Sequence, residues 1–259
     1  MILAIDIGNT NIVLGLIEDG KISSVAPRIT TDLHKTEYEY AVAMENVLDF
    51  VGVDATEAEG AIISSVVWPL TSIMAAAVKM LTGKTALVVG AGLKTGLNIA
   101  IDDPGTVGAD LVVGAVGALT LAKAPLIIID MGTATTITVV EEGNRFIGGA
   151  ILPGLRLSME ALSSGTSQLP YISLDPPKKC ISTNTVECMQ SGAIFGSASM
   201  LDGMIERMEA ELGKTATVIA TGGLAGRVTP YCRREILYEP DLLMKGLAAL
   251  WEKNRKDRR

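Results

Sequence analysis

Two stretches of nearly the same pattern decide the predicted fold: MILAIDIGNT at residues 1–10 and PLIIIDMGTA at residues 125–134. In each stretch an apolar run ends on an aspartate, Asp6 or Asp130, followed by one residue, a glycine and a small polar side chain. The residues beyond also match, so both copies predict a strand, a tight turn, a second strand and a polar hairpin turn. The polar turns are EDGK at residues 18–21 and EEGN at residues 141–144. This internal repeat predicts two α/β halves of similar topology.

The remaining elements alternate between strand and helix patterns. TEYE at residues 36–39 is a capping-box pattern that opens a predicted helix to Phe50, and Pro153 is predicted to start the helix in PGLRLSMEALSS. Further helices are predicted at residues 106–122, 184–212 and 240–256, and short strands at residues 61–66, 85–89 and 216–220. We therefore expect a duplicated fold with an N-terminal half at residues 1–118 and a C-terminal half at residues 119–259.

Composition limits the possible classes of function. The 259 residues are 48% hydrophobic but only 4% aromatic, which suits an aliphatic core of strands and helices. The net charge of −7 argues against a general nucleic-acid-binding protein, which normally presents a basic face. The three cysteines lack the spacing of a zinc site or a disulfide framework. They are interpreted as reduced thiols, and we expect a cytoplasmic protein.

The longest uncharged run, residues 60–78, has nearly the length of a membrane span. Ser64, Ser65, Trp68 and Pro69 interrupt this run. It is therefore interpreted as a short buried strand, a turn and a helix with Pro69 near its first turn. No basic segment precedes the first apolar run, which Asp6 interrupts, so no signal peptide is expected. These patterns predict no membrane partner.

The repeated aspartates admit two interpretations. Asp commonly begins a turn after a strand while Gly supplies a positive φ, as in many β-hairpins. Alternatively, glycine turns expose backbone N–H groups to phosphate oxygens, and nearby Asn and Thr side chains add uncharged hydrogen bonds. These side chains are Asn9, Thr10, Thr133 and Thr135. The carboxylates would repel phosphate, but they suit Mg²⁺ or another cation that bridges to it. Two such hairpins facing each other would hold the triphosphate of a nucleotide.

A third element, TVIATGGLA at residues 217–225, is a short strand that ends in a threonine and two glycines before a helix start. Paired glycines let a base or a ribose approach the backbone closely. By itself, Gly-Gly after a strand is also an ordinary turn. The order hairpin, hairpin, strand-Gly-Gly favours a nucleotide-binding site.

A phosphotransferase that acts on an alcohol needs a group that accepts the hydroxyl proton. The only histidine, His34, lies in the polar stretch TTDLHKTEYE and is predicted to be an exposed loop residue. Asp110 lies in the first turns of an apolar helix pattern, GTVGADLVVGAVGAL at residues 105–119. The residues alone leave two interpretations of Asp110 open: a proton acceptor, or a helix-start acid favoured by the macrodipole.

These motifs resemble those of known phosphotransferases. DIGNT, DMGTATT and ATGGLA resemble the two phosphate motifs and the adenosine motif of the acetate kinase, sugar kinase and actin superfamily. More narrowly, IDIGNTNIVLG, PGTVGADLVVGAVGAL, IIIDMGTATTI, GGAILPGL and TNTVECMQSG resemble type III pantothenate kinases, nearly from end to end. The resemblance implies a duplicated actin-like (ribonuclease H-like) fold with an ATP cleft between its halves, and a homodimer. It also implies ATP-dependent phosphorylation of pantothenate to 4′-phosphopantothenate, the first step towards coenzyme A, with Mg²⁺ and a monovalent cation, K⁺ or NH₄⁺.

The resemblance also implies roles for individual residues. Asp110 matches the proton acceptor, Asp130 the monovalent-cation site, and Thr133 an ATP contact. The first phosphate loop, which binds ATP with its metal ion at Asp6, comprises Asp6, Ile7, Gly8, Asn9, Thr10, Asn11, Ile12 and Val13. The pantothenate-binding positions comprise Ile101, Val107, Gly108, Ala109, Asp110, Leu111 and Thr185. Thr185 matches a threonine that closes over the substrate, although a role in capping the following helix also fits its position.

Two positions depart from the family pattern. The family usually has arginine directly after the catalytic aspartate, where this chain has Leu111, and tyrosine nine positions before it, where this chain has Ile101. Both family residues help to hold pantothenate. Three hypotheses follow: a pantothenate kinase with a variant acceptor site, a kinase of another small alcohol, and a non-catalytic nucleotide-binding regulator. Retained Asp6, Asp110 and Asp130 argue against the regulator.

Overall fold

The computed structural model describes residues 1–255, apart from the side chains of residues 24–27. The strands are β1 (Ile2–Ile7), β2 (Asn11–Glu18), β3 (Lys21–Thr30), β4 (Gly60–Ser65), β5 (Leu87–Val88), β6 (Asn98–Ile99), β7 (Leu126–Met131), β8 (Ala134–Glu141), β9 (Arg145–Pro153), β10 (Thr217–Thr221) and β11 (Leu237–Tyr238). The α-helices are α1 (Glu37–Phe50), α2 (Trp68–Thr82), α3 (Ala109–Leu121), α4 (Leu155–Ser164), α5 (Thr185–Ser191), α6 (Ser197–Leu212), α7 (Ala225–Val228) and α8 (Leu242–Asn254).

These elements form two compact units. The first contains Met1–Leu97, Asp102–Leu121 and the segment that begins at Asp241, and the second contains Asn98–Ile101 and Ala122–Pro240. The units therefore differ from the consecutive halves expected at residues 1–118 and 119–259. The main reason is α8, which comes last in the chain but packs against α3 and β1 of the first unit.

The first unit is built on a five-stranded sheet of order β3-β2-β1-β4-β5. β1 is antiparallel to β2 and parallel to β4. One face of the sheet carries an aliphatic core with α1 and α2. The predicted capping box begins α1, because Thr36 accepts from the Glu39 amide while the Glu39 carboxylate accepts from the Thr36 amide. Pro69 lies in the first turn of α2, as predicted.

Helices α3 and α8 of the first unit pack closely against each other. Gly246 on α8 touches the α3 backbone, where a Cβ atom would collide with the carbonyl group of Val113. The apolar, small-residue stretch of α3 is accordingly buried from Val112 to Ala118. Small residues in α3 therefore serve internal packing of this unit.

The second unit is built on a six-stranded sheet of order β11-β10-β7-β8-β9-β6. β7 is antiparallel to β8 and parallel to β10, which repeats the arrangement of β1, β2 and β4. An aliphatic core joins β7, β8 and β10 to α6 and α7. The predicted internal repeat is thus confirmed in the strand pairing of both sheets.

Several predicted boundaries change in the structure. Pro153 ends β9 and α4 begins only at Leu155, because a strand end tolerates a residue without an N–H donor. The helix expected from residue 106 begins at Ala109, after a 3₁₀ turn at Pro104–Thr106. The helix expected at residues 184–212 consists of α5, a π-helical turn at Gly192–Gly196 and α6. The last helix was expected to end at Lys256, which lies outside the described residues.

Candidate active site

Asp6 lies one residue before the end of β1, the central strand of the first sheet. Its neighbours in register are Val13 on antiparallel β2 and Ser64 on parallel β4. The residue is only 9% exposed, so its carboxylate is largely removed from bulk water. Because a turn-forming aspartate does not require burial and a buried carboxylate is costly, this position favours the cation-binding interpretation.

The loop after Asp6 is closed by its own backbone. The amide of Gly8 donates to the carbonyl of Asn11 at 3.0 Å, so this amide completes the turn. Just beyond β3, the Thr31 hydroxyl donates to the Gly8 carbonyl at 2.7 Å, and the Thr31 amide donates to the Thr10 carbonyl at 3.1 Å. Thr31 thus holds the loop in shape. No local pattern indicated this role, because it depends on the pairing of β2 with β3.

The side chains of the first phosphate loop fall into two groups. Ile7 and Ile12 are fully buried in the core beneath the loop, so any contact they make to a nucleotide is through the backbone. Asn9 and Thr10 are exposed at the turn. The partly exposed positions are Gly8, Asn11 and Val13.

Asp110 lies in the first turn of α3. The helix starts here because the Gly108 carbonyl accepts from the amides of Leu111 and Val112. Oδ1 of Asp110 accepts from the Leu111 amide at 2.8 Å. Burial raises the pKa of the Asp110 carboxyl above its ordinary value, and backbone hydrogen bonds only partly oppose this effect. An exposed helix-start acid would lack this raised pKa, and a raised pKa suits a general base.

Asp110 lies at the same end of the first sheet as Asp6. The Val66 amide, just beyond β4, donates to the carbonyl of Ile7 at the end of β1. A Cβ atom at Gly108 would touch Oδ1 of Asp110 and would lie 3.8 Å from Cγ1 of Val66. The first unit therefore brings the first phosphate loop and Asp110 to the carboxyl ends of β1 and β4. Val107, Ala109 and Leu111 are partly buried around Asp110.

Asp130 occupies the equivalent position in the second unit. It is in register with Thr136 on β8 and Thr221 on β10. The next turn is also closed by its glycine amide, but it is one residue shorter: the Gly132 amide donates to the Ala134 carbonyl at 3.0 Å, two positions on, and Thr133 is exposed. Thr135 was expected to offer a hydrogen bond to a ligand, but it is 1% exposed and faces the interior. That expectation was wrong because strand alternation places Thr135 on the core side.

Two glycines pack against this second turn. Gly222, from the ATGGLA motif, has φ of +94°, and a Cβ atom there would lie 2.6 Å from Oδ1 of Asp130. A Cβ atom at Gly154 would collide with the carbonyl of Thr133. The Gly222 contact joins the second phosphate motif to the predicted adenosine motif. The Gly154 contact was missed by sequence reasoning, because GGAILPGL contains several glycines and nothing in it distinguishes this one.

Thr185 and Ile101, the other predicted acceptor residues, lie in the second unit. Asn184 caps α5, since its side chain accepts from the Glu187 amide at 2.9 Å. Thr185 is exposed in the first turn and is not the capping residue. Ile101 follows β6, and its Cγ2 would lie 3.8 Å from a Cβ atom at Gly148. The remaining acceptor positions, Val107–Leu111, belong to the first unit.

The donor groups suit ATP with a divalent metal ion. Within residues 1–255, no three His, Cys, Asp or Glu side chains cluster as a metal site. Mg²⁺ at nucleotide sites is usually held by one or two carboxylates together with phosphate oxygens, so a single carboxylate such as Asp6 fits. The lone histidine, His34, is exposed in the loop before α1, as predicted. None of the described helices combines the length and the apolar character needed to cross a membrane.

The fold and the repeated aspartate turns define a class of proteins. A polyphosphate/ATP-glucomannokinase from Arthrobacter is 16% identical with a TM-score of 0.52, and each chain is covered to 98%. A ROK family glucokinase from Streptomyces griseus is 13% identical with a TM-score of 0.53, covering 98% of this chain and 99% of the glucokinase. At these identities the likeness concerns the fold alone. The chain has the duplicated actin-like fold of these sugar kinases.

The family follows from closer relatives. The family model for type III pantothenate kinases matches residues 2–207. A type III pantothenate kinase from Bacillus cytotoxicus is 41% identical over 254 residues, covering 98% of this chain and 97% of the relative. One from Halalkalibacterium halodurans is also 41% identical over 254 residues, covering 98% of this chain and 100% of the relative. The chain belongs to the type III pantothenate kinase family, whose reaction uses ATP to phosphorylate pantothenate in coenzyme A biosynthesis.

Proposed function

We propose that this chain transfers the γ-phosphoryl group of ATP to the terminal hydroxyl of pantothenate, with Asp110 as the proton acceptor. The observation that carries the proposal is the half-buried carboxylate of Asp110 at the sheet end that also holds Asp6. Its raised pKa makes it a better base than an ordinary aspartate. The Leu111 amide holds one oxygen at 2.8 Å, so the orientation of the carboxylate is set before a substrate binds.

The first phosphate loop positions the nucleotide. Asp6 holds Mg²⁺ or its water shell, and the bound ion neutralises charge on the phosphates. Asn9 and Thr10, both exposed, donate hydrogen bonds to phosphate oxygens. Thr31 and the Gly8–Asn11 hydrogen bond keep the loop in the conformation that does this.

The second unit carries nucleotide-binding residues of its own. Asp130 holds the monovalent cation, K⁺ or NH₄⁺, and Thr133 contacts ATP. Because Gly222 has no side chain, the backbone of the strand-Gly-Gly turn can lie against Asp130. A Cβ atom at Gly222 would lie too close to Oδ1 of Asp130. A larger residue at this position would separate the cation site from the adenosine motif.

The proposed acceptor-binding positions are Val107–Leu111 in the first unit and Ile101 and Thr185 in the second. Leu111 provides no cation for the pantothenate carboxylate. Arg156 and Lys178 are exposed and form no ion pair with another residue among 1–255, so either cation is available to this carboxylate. The exposed hydroxyl of Thr185, which is not needed to cap α5, supports its role over the substrate.

The protein acts as a cytoplasmic homodimer in this proposal, on the basis of its resemblance to the family. The apolar stretch of α3 is not available as the dimer surface, because its residues from Val112 to Ala118 are buried within the first unit. The dimer contacts therefore involve other surfaces.

A coupled ADP-release assay over a panel of small alcohols tests the proposal. Pantothenate should give the highest kcat/KM of the panel, with ADP and phosphopantothenate formed in equal amounts. Higher activity on another alcohol would favour the second candidate, a kinase of the same fold with a different acceptor. The observation that favours this candidate is the uncharged Leu111 next to Asp110. No ADP release with any alcohol would contradict both.

A further inference from the structure

Ser64, at the penultimate position of β4, is fully buried. Its hydroxyl forms no hydrogen bond with any residue in the part of the chain that the structure describes. A buried hydroxyl without a partner destabilises the folded state. Proteins keep such groups mainly where a ligand, an ion or a conformational change provides the missing partner.

The position of Ser64 suggests which group this partner is. Ser64 is in register with Asp6 on the adjacent parallel strand, and adjacent strands lie about 4.8 Å apart. Their side chains point to the same face of the sheet. Ile5 and Ile63, one residue earlier in each strand, point to the opposite face and join the core with α1 and α2. The Asp6 carboxylate is thus the ionisable group in register beside the Ser64 hydroxyl.

The second unit repeats this pairing. Thr221 is in register with Asp130 on the adjacent parallel strand, as Ser64 is with Asp6. Thr221 is also buried, but its hydroxyl donates to the Pro240 carbonyl at 3.5 Å. A buried hydroxyl therefore accompanies the aspartate of both phosphate turns. Only in the second unit does a backbone carbonyl accept the hydroxyl proton.

We propose that Ser64 is a positioning residue of the metal–nucleotide site: its hydroxyl donates a hydrogen bond to the Asp6 carboxylate when this carboxylate binds Mg²⁺·ATP. A serine Oγ lies one bond beyond Cβ and an aspartate oxygen two bonds beyond, so the two groups span the distance between adjacent strands. A carboxylate accepts several hydrogen bonds, so Ser64 adds to other contacts of Asp6. With one oxygen held by Ser64, the other is directed to the cation. This inference rests on the proposed ATP-binding role of Asp6.

Two substitutions separate this role from packing. Ser64→Ala removes the hydroxyl, and Ser64→Cys replaces it with a weak donor of similar size. Ser65→Ala is the matched control, because the Ser65 hydroxyl donates to the Val67 carbonyl and accepts from the Thr71 hydroxyl at 2.9 Å. Without ligand, Ser64→Ala should melt at the same temperature as the native chain or higher, and Ser65→Ala should melt lower.

The decisive measurement is the Mg²⁺ dependence of the rise in melting temperature that saturating ATP produces. In both Ser64 variants, the Mg²⁺ concentration at the midpoint of this rise should be roughly tenfold higher or more, because one charge-assisted hydrogen bond is lost or weakened. Ser65→Ala should have the same midpoint as the native chain. In turnover at saturating Mg²⁺, kcat should be largely retained. An unshifted midpoint would overturn the role of Ser64, and so would a fall in kcat alone, which would place the hydroxyl at Asp110 or at the acceptor.

This measurement does not require an acceptor. If pantothenate proves not to be the substrate, the shifted Mg²⁺ midpoint still supports the role of Ser64. If ATP gives no Mg²⁺-dependent stabilisation of the native chain, the nucleotide-binding function and the role of Ser64 are both overturned.

Discussion

The backbone of Gly222 lies against the carboxylate of Asp130, so that a Cβ atom at Gly222 would come within 2.6 Å of Oδ1 of Asp130. The two residues are far apart in the sequence and meet because β7 pairs in parallel with β10, with Thr221 opposite Asp130. Gly222 also has φ of +94°, which favours glycine. Both its backbone conformation and its surroundings therefore require the absence of a side chain.

We expect Gly222→Ala to weaken ATP binding. It should also destabilise the protein by more than the conformational penalty of placing alanine at a positive φ. Gly213→Ala is the matched control: Gly213 has φ of +67°, but a Cβ atom there would meet nothing within 4 Å. The control should lose about 1 kcal/mol of unfolding free energy, and Gly222→Ala should lose more than that because of the added collision. Urea unfolding and ATP titration measure the two effects. Equal losses in both variants would show that the contact with Asp130 is unimportant.

Asp110→Asn should lower kcat by ~10²- to 10⁴-fold, the usual loss when a general base is removed. ATP affinity should stay near the native value, because Asn keeps the shape of the side chain and still accepts from the Leu111 amide. Steady-state kinetics and ATP-binding calorimetry give the two quantities. Asp54→Asn is a suitable control, since Asp54 accepts from the Thr56 amide in an exposed turn. A native kcat in Asp110→Asn would exclude Asp110 as the base.

The same variant should be more stable than the native chain at neutral pH. Burial raises the pKa of Asp110 in the folded state above its ordinary value of 3.8, so ionising this carboxyl opposes folding. This destabilisation has its full value above the folded-state pKa of Asp110. It disappears as the pH falls from that pKa to 3.8. The stability difference between Asp110→Asn and the native chain should therefore be largest at neutral pH and should vanish near pH 3.8. Melting curves across this range test the sign, and a variant that is less stable at neutral pH would contradict it.

The two turn aspartates should differ in their ion dependence. Asp6→Asn should raise the Mg²⁺ concentration needed for half-maximal activity, because an amide binds a divalent cation more weakly than a carboxylate. Asp130→Asn should instead reduce the activation by K⁺ or NH₄⁺. Activity is titrated against each ion in both variants. Unchanged responses to both ions would mean that the aspartates act only as turn residues.

Leu111→Arg tests how the pantothenate carboxylate is bound. An added guanidinium beside Asp110 can form two charge-assisted hydrogen bonds with this carboxylate, so the KM for pantothenate should fall by about tenfold or more. The KM for pantothenol, which has no carboxylate, should change little. If the native chain used pantothenate and pantothenol equally well, neither Arg156 nor Lys178 would bind the pantothenate carboxylate. A fall in both KM values in Leu111→Arg would mean that the arginine acts through packing.

The sequence by itself determined the internal repeat and the kind of site. Apolar runs that end in Asp-x-Gly are local patterns, and both sheets reproduce them as a strand, a tight turn and a second strand around Asp6 and Asp130. The capping box at Thr36 is equally local, because its two hydrogen bonds join residues only three positions apart. Asp110 was a candidate base because a carboxylate is unusual in an apolar helix pattern, although the residues alone also fitted a helix-start acid, and its role stays a prediction.

Only the tertiary structure decided which residues surround these motifs, because register and burial depend on contacts between distant parts of the chain. Pairing of β1 with β4 places Ser64 beside Asp6, and pairing of β7 with β10 places Gly222 against Asp130. Ile12, which follows the turn in the sequence, is buried in the core, whereas the equally apolar Val13 is partly exposed. The last helix joins the first unit because the small residues of α3 let α8 approach closely, and that fit exists only once both helices have formed.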